Sequence, residues 1–151
     1  MEKKLVSVLF FCCWLTATHA CTCLMPDHDS YCTMTIVFHG IAEALDIQDN
    51  GDTDVYTFWI DQIFWAPDDF NDTQAINVTS HSFDSLCGFS FELDTPYVVA
   101  ARFVNGVFRS GLCDGNQLWN SLPKSEKRFF SRRLQKHCAR KNKEQPEVAG
   151  H

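Results

Sequence analysis

The chain has 151 residues, with 13 Lys and Arg against 19 Asp and Glu and a formal net charge of −6. That length suits one domain and hardly two. A mildly acidic balance gives no electrostatic case for a nucleic-acid partner. Beyond the N-terminus no segment is apolar for the roughly 20 residues that a membrane span requires.

In chain order, residues 1–20 read as a secretory signal. Lys3 and Lys4 supply the positive start, and Leu5 to Leu15 is an apolar run broken only by Ser7. Thr18 and Ala20 are small residues three and one positions before Cys21, which suits cleavage after Ala20. The apolar run is too short for a transmembrane anchor. The expected product is secreted, to the extracellular space or matrix, with a net charge of −7 once Glu2, Lys3 and Lys4 are removed from a chain of −6.

Of eight cysteines, Cys12 and Cys13 would leave with the signal, and Cys21, Cys23, Cys32, Cys87, Cys113 and Cys138 remain. An even number in a small exported domain predicts a disulfide framework. Six cysteines allow 15 connectivities. The simplest arrangement ties each of the three early cysteines to a late one, closing long loops. A zinc site built from Cys and His is disfavoured by export, by the even count and by the lack of a Cys-x-x-Cys pair.

Residues 21–32 form an irregular segment. Residues 34–45 read as a strand with a bulge at Gly40, and Asp49-Asn50-Gly51-Asp52 is a turn signal. Val55 to Trp65 is a second strand, Pro67 to Asp72 a loop, and Ala75 to Thr79 a shorter strand. A polar loop ends at Cys87-Gly88. Tyr97 to Val104 and Val107 to Leu112 are strands joined by the hairpin signal Asn105-Gly106. Pro123 suits the first turn of a helix, and Ser125 to Cys138 reads as amphipathic, with Phe129, Phe130, Leu134 and His137 toward the packed side. Arg140 to His151 is a polar tail, expected to be disordered. Five or so strands without a βαβ rhythm predict a small, mainly β, closed Greek-key barrel with a C-terminal α-helix. The domain plan is a signal over 1–20, one domain over 21–138 and a tail over 139–151.

Asn71-Asp72-Thr73 and Asn77-Val78-Thr79 are glycosylation sequons, Asn71 having the better case. The basic residues gather between Lys124 and Lys143. A solvated helix face and charged tail is the favoured reading, over contact with acidic matrix polysaccharide. His28, His39, His81, His137 and His151 are scattered, with no His-Glu-x-x-His and no nucleophile elbow, so no enzyme is expected.

The mature N-terminus would read Cys21-Thr22-Cys23-Leu24-Met25-Pro26. Downstream stand Ser85-Leu86-Cys87-Gly88 and Leu118-Trp119-Asn120-Ser121-Leu122. These motifs, with all six cysteines in order over 21–138, resemble the N-terminal domain of the tissue inhibitors of metalloproteinases across essentially the whole mature chain. The resemblance implies a five-stranded oligonucleotide/oligosaccharide-binding (OB) barrel of netrin-like type. It implies the pairing Cys21–Cys87, Cys23–Cys113 and Cys32–Cys138. It also implies a protease inhibitor with no cofactor of its own, which contacts the zinc of a matrix-degrading or disintegrin-type metalloproteinase. Cys21 would chelate that metal through its α-amine and carbonyl, and Thr22 would enter the adjacent pocket. Cys23, Leu24, Met25, Ser85 and Leu86 would complete the contact. Two departures stand out. Met25 takes the place of a family proline in a stretch one residue shorter, and the turn at Asn50-Gly51 is short. The second disulfide domain of larger relatives is not expected. The alternative is a netrin-like module that binds extracellular matrix or a receptor without inhibiting a protease.

The secreted protein is expected to begin at Cys21 and to contain no alkylatable thiol. Intact-mass spectrometry with and without reduction reads both, and a different first residue or a reactive cysteine in native material would contradict the signal and bridge assignments.

Overall fold

The structure, a computed structural model, describes residues 21–24, 26–48, 51–66, 70, 73–82 and 86–144. The expected signal, Met25, Asn50, Asn71, Ser85 and residues 145–151 lie outside the described residues.

Runs rich in β-branched and aromatic residues make the strands. These are β1 (Ile36–Gln48), β2 (Thr53–Trp65), β3 (Ala75–His81), β4 (Pro96–Val104), β5 (Val107–Arg109) and the short β6 (Gln117–Leu118). β1 pairs antiparallel with β2, and β2 with β3. β3 runs parallel to β5, and β5 antiparallel to β4. β4 returns to β1 antiparallel and closes the ring. The ring is barrel-like but not evenly disposed about an axis. β6, unforeseen in the sequence because it is two residues long, pairs with β4 outside this circuit.

Closure depends on two local choices. At Gly40 the β1–β2 register shifts, and a Cβ there would stand 2.6 Å from the carbonyl oxygen of Trp59. The bulge expected at this glycine therefore lets two backbones approach where a side chain would part them. The Asn105-Gly106 turn has φ of 52° and 85°. Two left-handed residues in succession give the turn whose twist matches the hairpin strands.

Strand alternation builds two cores rather than one. Ile36, Phe38, Val99 and Ala101 point into the barrel with Tyr56, Phe58, Phe91 and Tyr97. Their neighbours Val37, Val98 and Ala100 point outward, yet are buried against Tyr31, Phe64, Phe130 and Leu134. β1 and β4 are apolar on both faces because helices cover their outer side.

One helix was expected over Ser125–Cys138, and two are present: α1 (Lys124–Arg132) and α2 (Leu134–Glu144). Arg133 separates them with φ −120° and ψ −30°. Phe130, Leu134 and Cys138 recur every four residues and are all buried. In an uninterrupted helix each such step would drift about 40° off the barrel. The interruption accommodates all three on the packed side. α2 continues to Glu144, so residues 139–144 are helical where a polar tail was expected. Phe129 lies only partly in the core, and His137 turns to Asp29, its Nε2 2.7 Å from a carboxylate oxygen.

Leu134 is fully buried at the centre of the outer core. Leu134→Ala should lower unfolding free energy by about 2–5 kcal/mol, read by denaturant titration with disulfides intact. A loss well below about 1 kcal/mol would mean that the helices add little to the barrel.

Candidate functional site

Three bridges decide where Cys21, Cys23 and Cys32 sit. Cys21 joins Cys87, Cys23 joins Cys113 and Cys32 joins Cys138, with Cα atoms 5.6, 5.1 and 5.0 Å apart. This is the pairing that the resemblance implied. The closed loops span 66, 90 and 106 residues. Loops of that length are each worth about 4–5 kcal/mol by the chain-entropy argument. Cys21, Cys23 and Cys32 are thus tied to the loops at Cys87 and Cys113 and to α2.

Each anchor is itself held. Cys87 is left-handed, with φ 58°, a conformation that costs a non-glycine residue free energy and needs support. Its carbonyl oxygen accepts from the Leu112 N–H at 2.8 Å. A Cβ on Gly111 would stand 2.8 Å from that same oxygen, and one on Gly88 would fall 1.8 Å from the carbonyl oxygen of His81. Only glycine fits either place. The Cys113 loop hangs on Asn116. Its amide donates to Gly111 O at 3.0 Å and to Ser110 Oγ at 2.8 Å, and its Oδ1 accepts from Ala100 N–H at 3.0 Å. Asp114 receives the Gly111 N–H at 2.8 Å and pairs with Arg102.

The segment leading to Cys32 is tied to both the barrel and the helices. Asp27 Oδ1 accepts from Ser30 N–H and Oγ–H at 2.8 and 2.6 Å. These bonds hold its carboxyl below the usual range. Tyr31 donates its hydroxyl to Gly115 O at 2.9 Å and accepts from Gln117 Nε2 at 2.7 Å. Burial pushes the Tyr31 hydroxyl upward in pKa, so it keeps its proton. Asp29 meets Lys141 and, at 2.7 Å, His137. His28 stacks on Phe129 at 3.6 Å between ring centroids and reaches Glu126 at 3.0 Å.

The predicted contact residues fall as follows. Cys21 and Cys23 are half-buried beneath the bridges, whereas Thr22 between them is exposed. Leu24 is 90% exposed and Leu86, beside Cys87, 51% exposed. Two large apolar side chains next to bridged cysteines are therefore exposed. Of the sequons, Asn77 is exposed on β3 and accepts from Thr57 Oγ1 at 3.0 Å. Reading the sequence did not single out Asn116, Asp114, Tyr31 or Asp29. The run Asp114-Gly115-Asn116 is a turn signal that could have flagged the first two. The other two act through long-range contacts that no local pattern carries.

Among the described residues no group of three or more His, Cys, Asp or Glu side chains could hold a metal ion. His28, His39 and His137 each meet a different carboxylate: Glu126, Asp61 and Asp29. Among the described residues no helix is long and apolar enough to cross a membrane.

The structure thus combines a closed ring of strands with a bridged segment on which Thr22 and Leu24 are exposed. The family model described as "Tissue inhibitor of metalloproteinase" matches residues 19–147, and the chain belongs to that family. Metalloproteinases are accordingly its class of partner, and metalloproteinase inhibition its class of activity.

The carboxyl of Asp29 is held below its ordinary value, first by the hydrogen bond from Lys141 and then by that from His137. A depressed folded-state pKa stabilises the fold above the unfolded carboxylate value, and that contribution is lost as pH falls through the folded one. The melting temperature of the wild type should therefore fall below about pH 4 more steeply than that of Asp29→Asn, and the two should converge in acid. Parallel melting-temperature curves for the two proteins would remove Asp29 from the linkage.

Proposed function

We propose that the protein is secreted, is cleaved before Cys21, and inhibits zinc metalloproteinases by chelating the catalytic zinc with the α-amine and carbonyl oxygen of Cys21. The observation that carries this reading is the exposure of Thr22 between two half-buried, bridged cysteines, with Leu86 exposed beside Cys87. A catalytic zinc keeps an open coordination position. An amine and a carbonyl of one residue close a five-membered ring on a metal. The Cys21 thiol is engaged with Cys87 and serves to aim that residue. Thr22 enters the pocket beside the metal, because side chains alternate along an extended segment. Leu24 and Met25 follow on one side of the cleft, and Ser85 and Leu86 occupy the other. A cross-linked edge loses little conformational freedom on binding, which favours tight inhibition.

The metal binds a neutral nitrogen, and an ordinary α-amine titrates at about 7.7–8.0. One added Ala before Cys21 removes the chelating pair and puts bulk at the metal. That variant should keep the circular dichroism spectrum and melting temperature of the wild type and lose most inhibition of a panel of matrix-degrading and disintegrin-type proteases. Thr22→Gly in the same panel should weaken inhibition by about 1–3 kcal/mol with little change in melting temperature. Full potency of the Ala-extended protein would sink the chelation reading and favour a matrix- or receptor-binding module.

A further inference from the structure

The charge of the chain is segregated. Nine of its 13 Lys and Arg residues fall within 124–144, against only Glu126 and Glu144 of its 19 acids. The helical segment therefore stands at +7, nine against two, in a chain of −6, which leaves the remainder strongly acidic. Within the segment Lys124, Arg128, Arg132, Lys136 and Arg140 recur at every fourth position, and all five are exposed. Within α1 (Lys124, Arg128, Arg132) and within α2 (Lys136, Arg140), like charges at that spacing face one another and repel.

Folding does not account for this series. Lys141 pairs with Asp29, and Lys127 lies 5.2 Å over the Trp119 ring. Among the described residues none of the five pairs with a carboxylate. Cations in a last turn complement the helix dipole, as Arg132 does in α1. Lys124 opens α1, however, and Lys136 lies in the first turn of α2, where a cation opposes the dipole. Arg132, Arg133, Lys136 and Arg140 also line a surface groove of about 550 Å³, together with Phe129, His28 and His137 and without a carboxylate.

We propose that this face binds a sulfated polysaccharide. A linear series of cations fits a linear polyanion, and guanidinium groups pair with sulfate oxygens through charge-assisted hydrogen bonds. An anionic membrane fits less well, since interfacial helices need an apolar face to insert and residues 124–144 include none of the exposed large hydrophobic side chains. Single-stranded nucleic acid binds by stacking on aromatic rings, but the groove's rings face one another, Phe129 being stacked against His28 and meeting His137 edge-on. None of the five lines the pocket beside Cys23 and Leu24. Polysaccharide binding is thus independent of the inhibitory reading.

Immobilised heparin tests the proposal, with the processed, disulfide-intact protein and salt varied from about 50 to 200 mM. The wild type should be retained at about 150 mM salt despite its acidic net charge, with affinity falling steeply as salt rises. The triple variant Arg132→Gln/Lys136→Gln/Arg140→Gln should bind at least about tenfold more weakly at 150 mM and show a salt slope smaller by about 3. Its inhibition of a metalloproteinase should match the wild type. Absence of inhibition in both proteins would bear on the zinc reading alone. Should the triple variant lose its native circular dichroism, Lys136→Gln/Arg140→Gln carries the same test, with a slope smaller by about 2. A wild type that fails to bind, a variant that binds as the wild type does, or tighter binding to single-stranded DNA or phosphatidylserine vesicles than to heparin would overturn the proposal.

Discussion

Everything at the exposed edge depends on the backbone at Cys87 turning left-handed. With φ at 58° the residue presents its sulfur to Cys21, and Gly88 and Gly111 stand where a Cβ would collide with the carbonyls of His81 and Cys87. The two glycines, the Leu112–Cys87 hydrogen bond and the Cys21–Cys87 bridge form one unit. Strain at a single residue persists only when its surroundings over-determine it, and here they do so from three sides. Thr22, Leu24 and Leu86 are exposed in consequence of that unit and of the Cys23–Cys113 bridge behind it.

The helices serve the same edge from further away. Phe130, Leu134 and Cys138 cover the outer side of β1 and β4. In doing so they place Cys138 within reach of Cys32, and Lys141 and His137 within reach of Asp29. The apolar side of the helices is thus spent on the fold, together with a few of their polar groups. What is left outward is cationic, a surface of opposite sign to the rest of the chain. Barrel edge and helix face are built from different residues and can be altered separately.

Much of this was legible in the sequence. The five ring strands follow from runs rich in β-branched and aromatic residues, and the bulge at Gly40 and the turn at Asn105-Gly106 from one or two residues whose local sterics dictate the backbone. The helix was legible as a helix but not as two, because the break at Arg133 answers to where Phe130, Leu134 and Cys138 meet the barrel. β6 offers only two residues to any periodicity. The pairing of the cysteines could be named from family motifs and not from spacing, since 15 connectivities are open to six cysteines. Cys21, Thr22, Cys23 and Leu86 were named as contact residues from the same motifs. The groups that hold them in place, Tyr31, Asp29, Asp114 and Asn116, were not, because their partners lie far away in the chain or depend on a loop's tertiary path.

The order of the bridges has a consequence for synthesis. The early cysteines, 21, 23 and 32, meet 87, 113 and 138 in the same order in which they occur. A chain emerging N-terminus first exposes Cys87 before Cys113, and Cys113 before Cys138. With the three early cysteines still unpaired, each late cysteine that emerges has as its correct partner the oldest of them that remains. The Cys32–Cys138 bridge, which ties α2 to the early segment, is the last whose two cysteines become available.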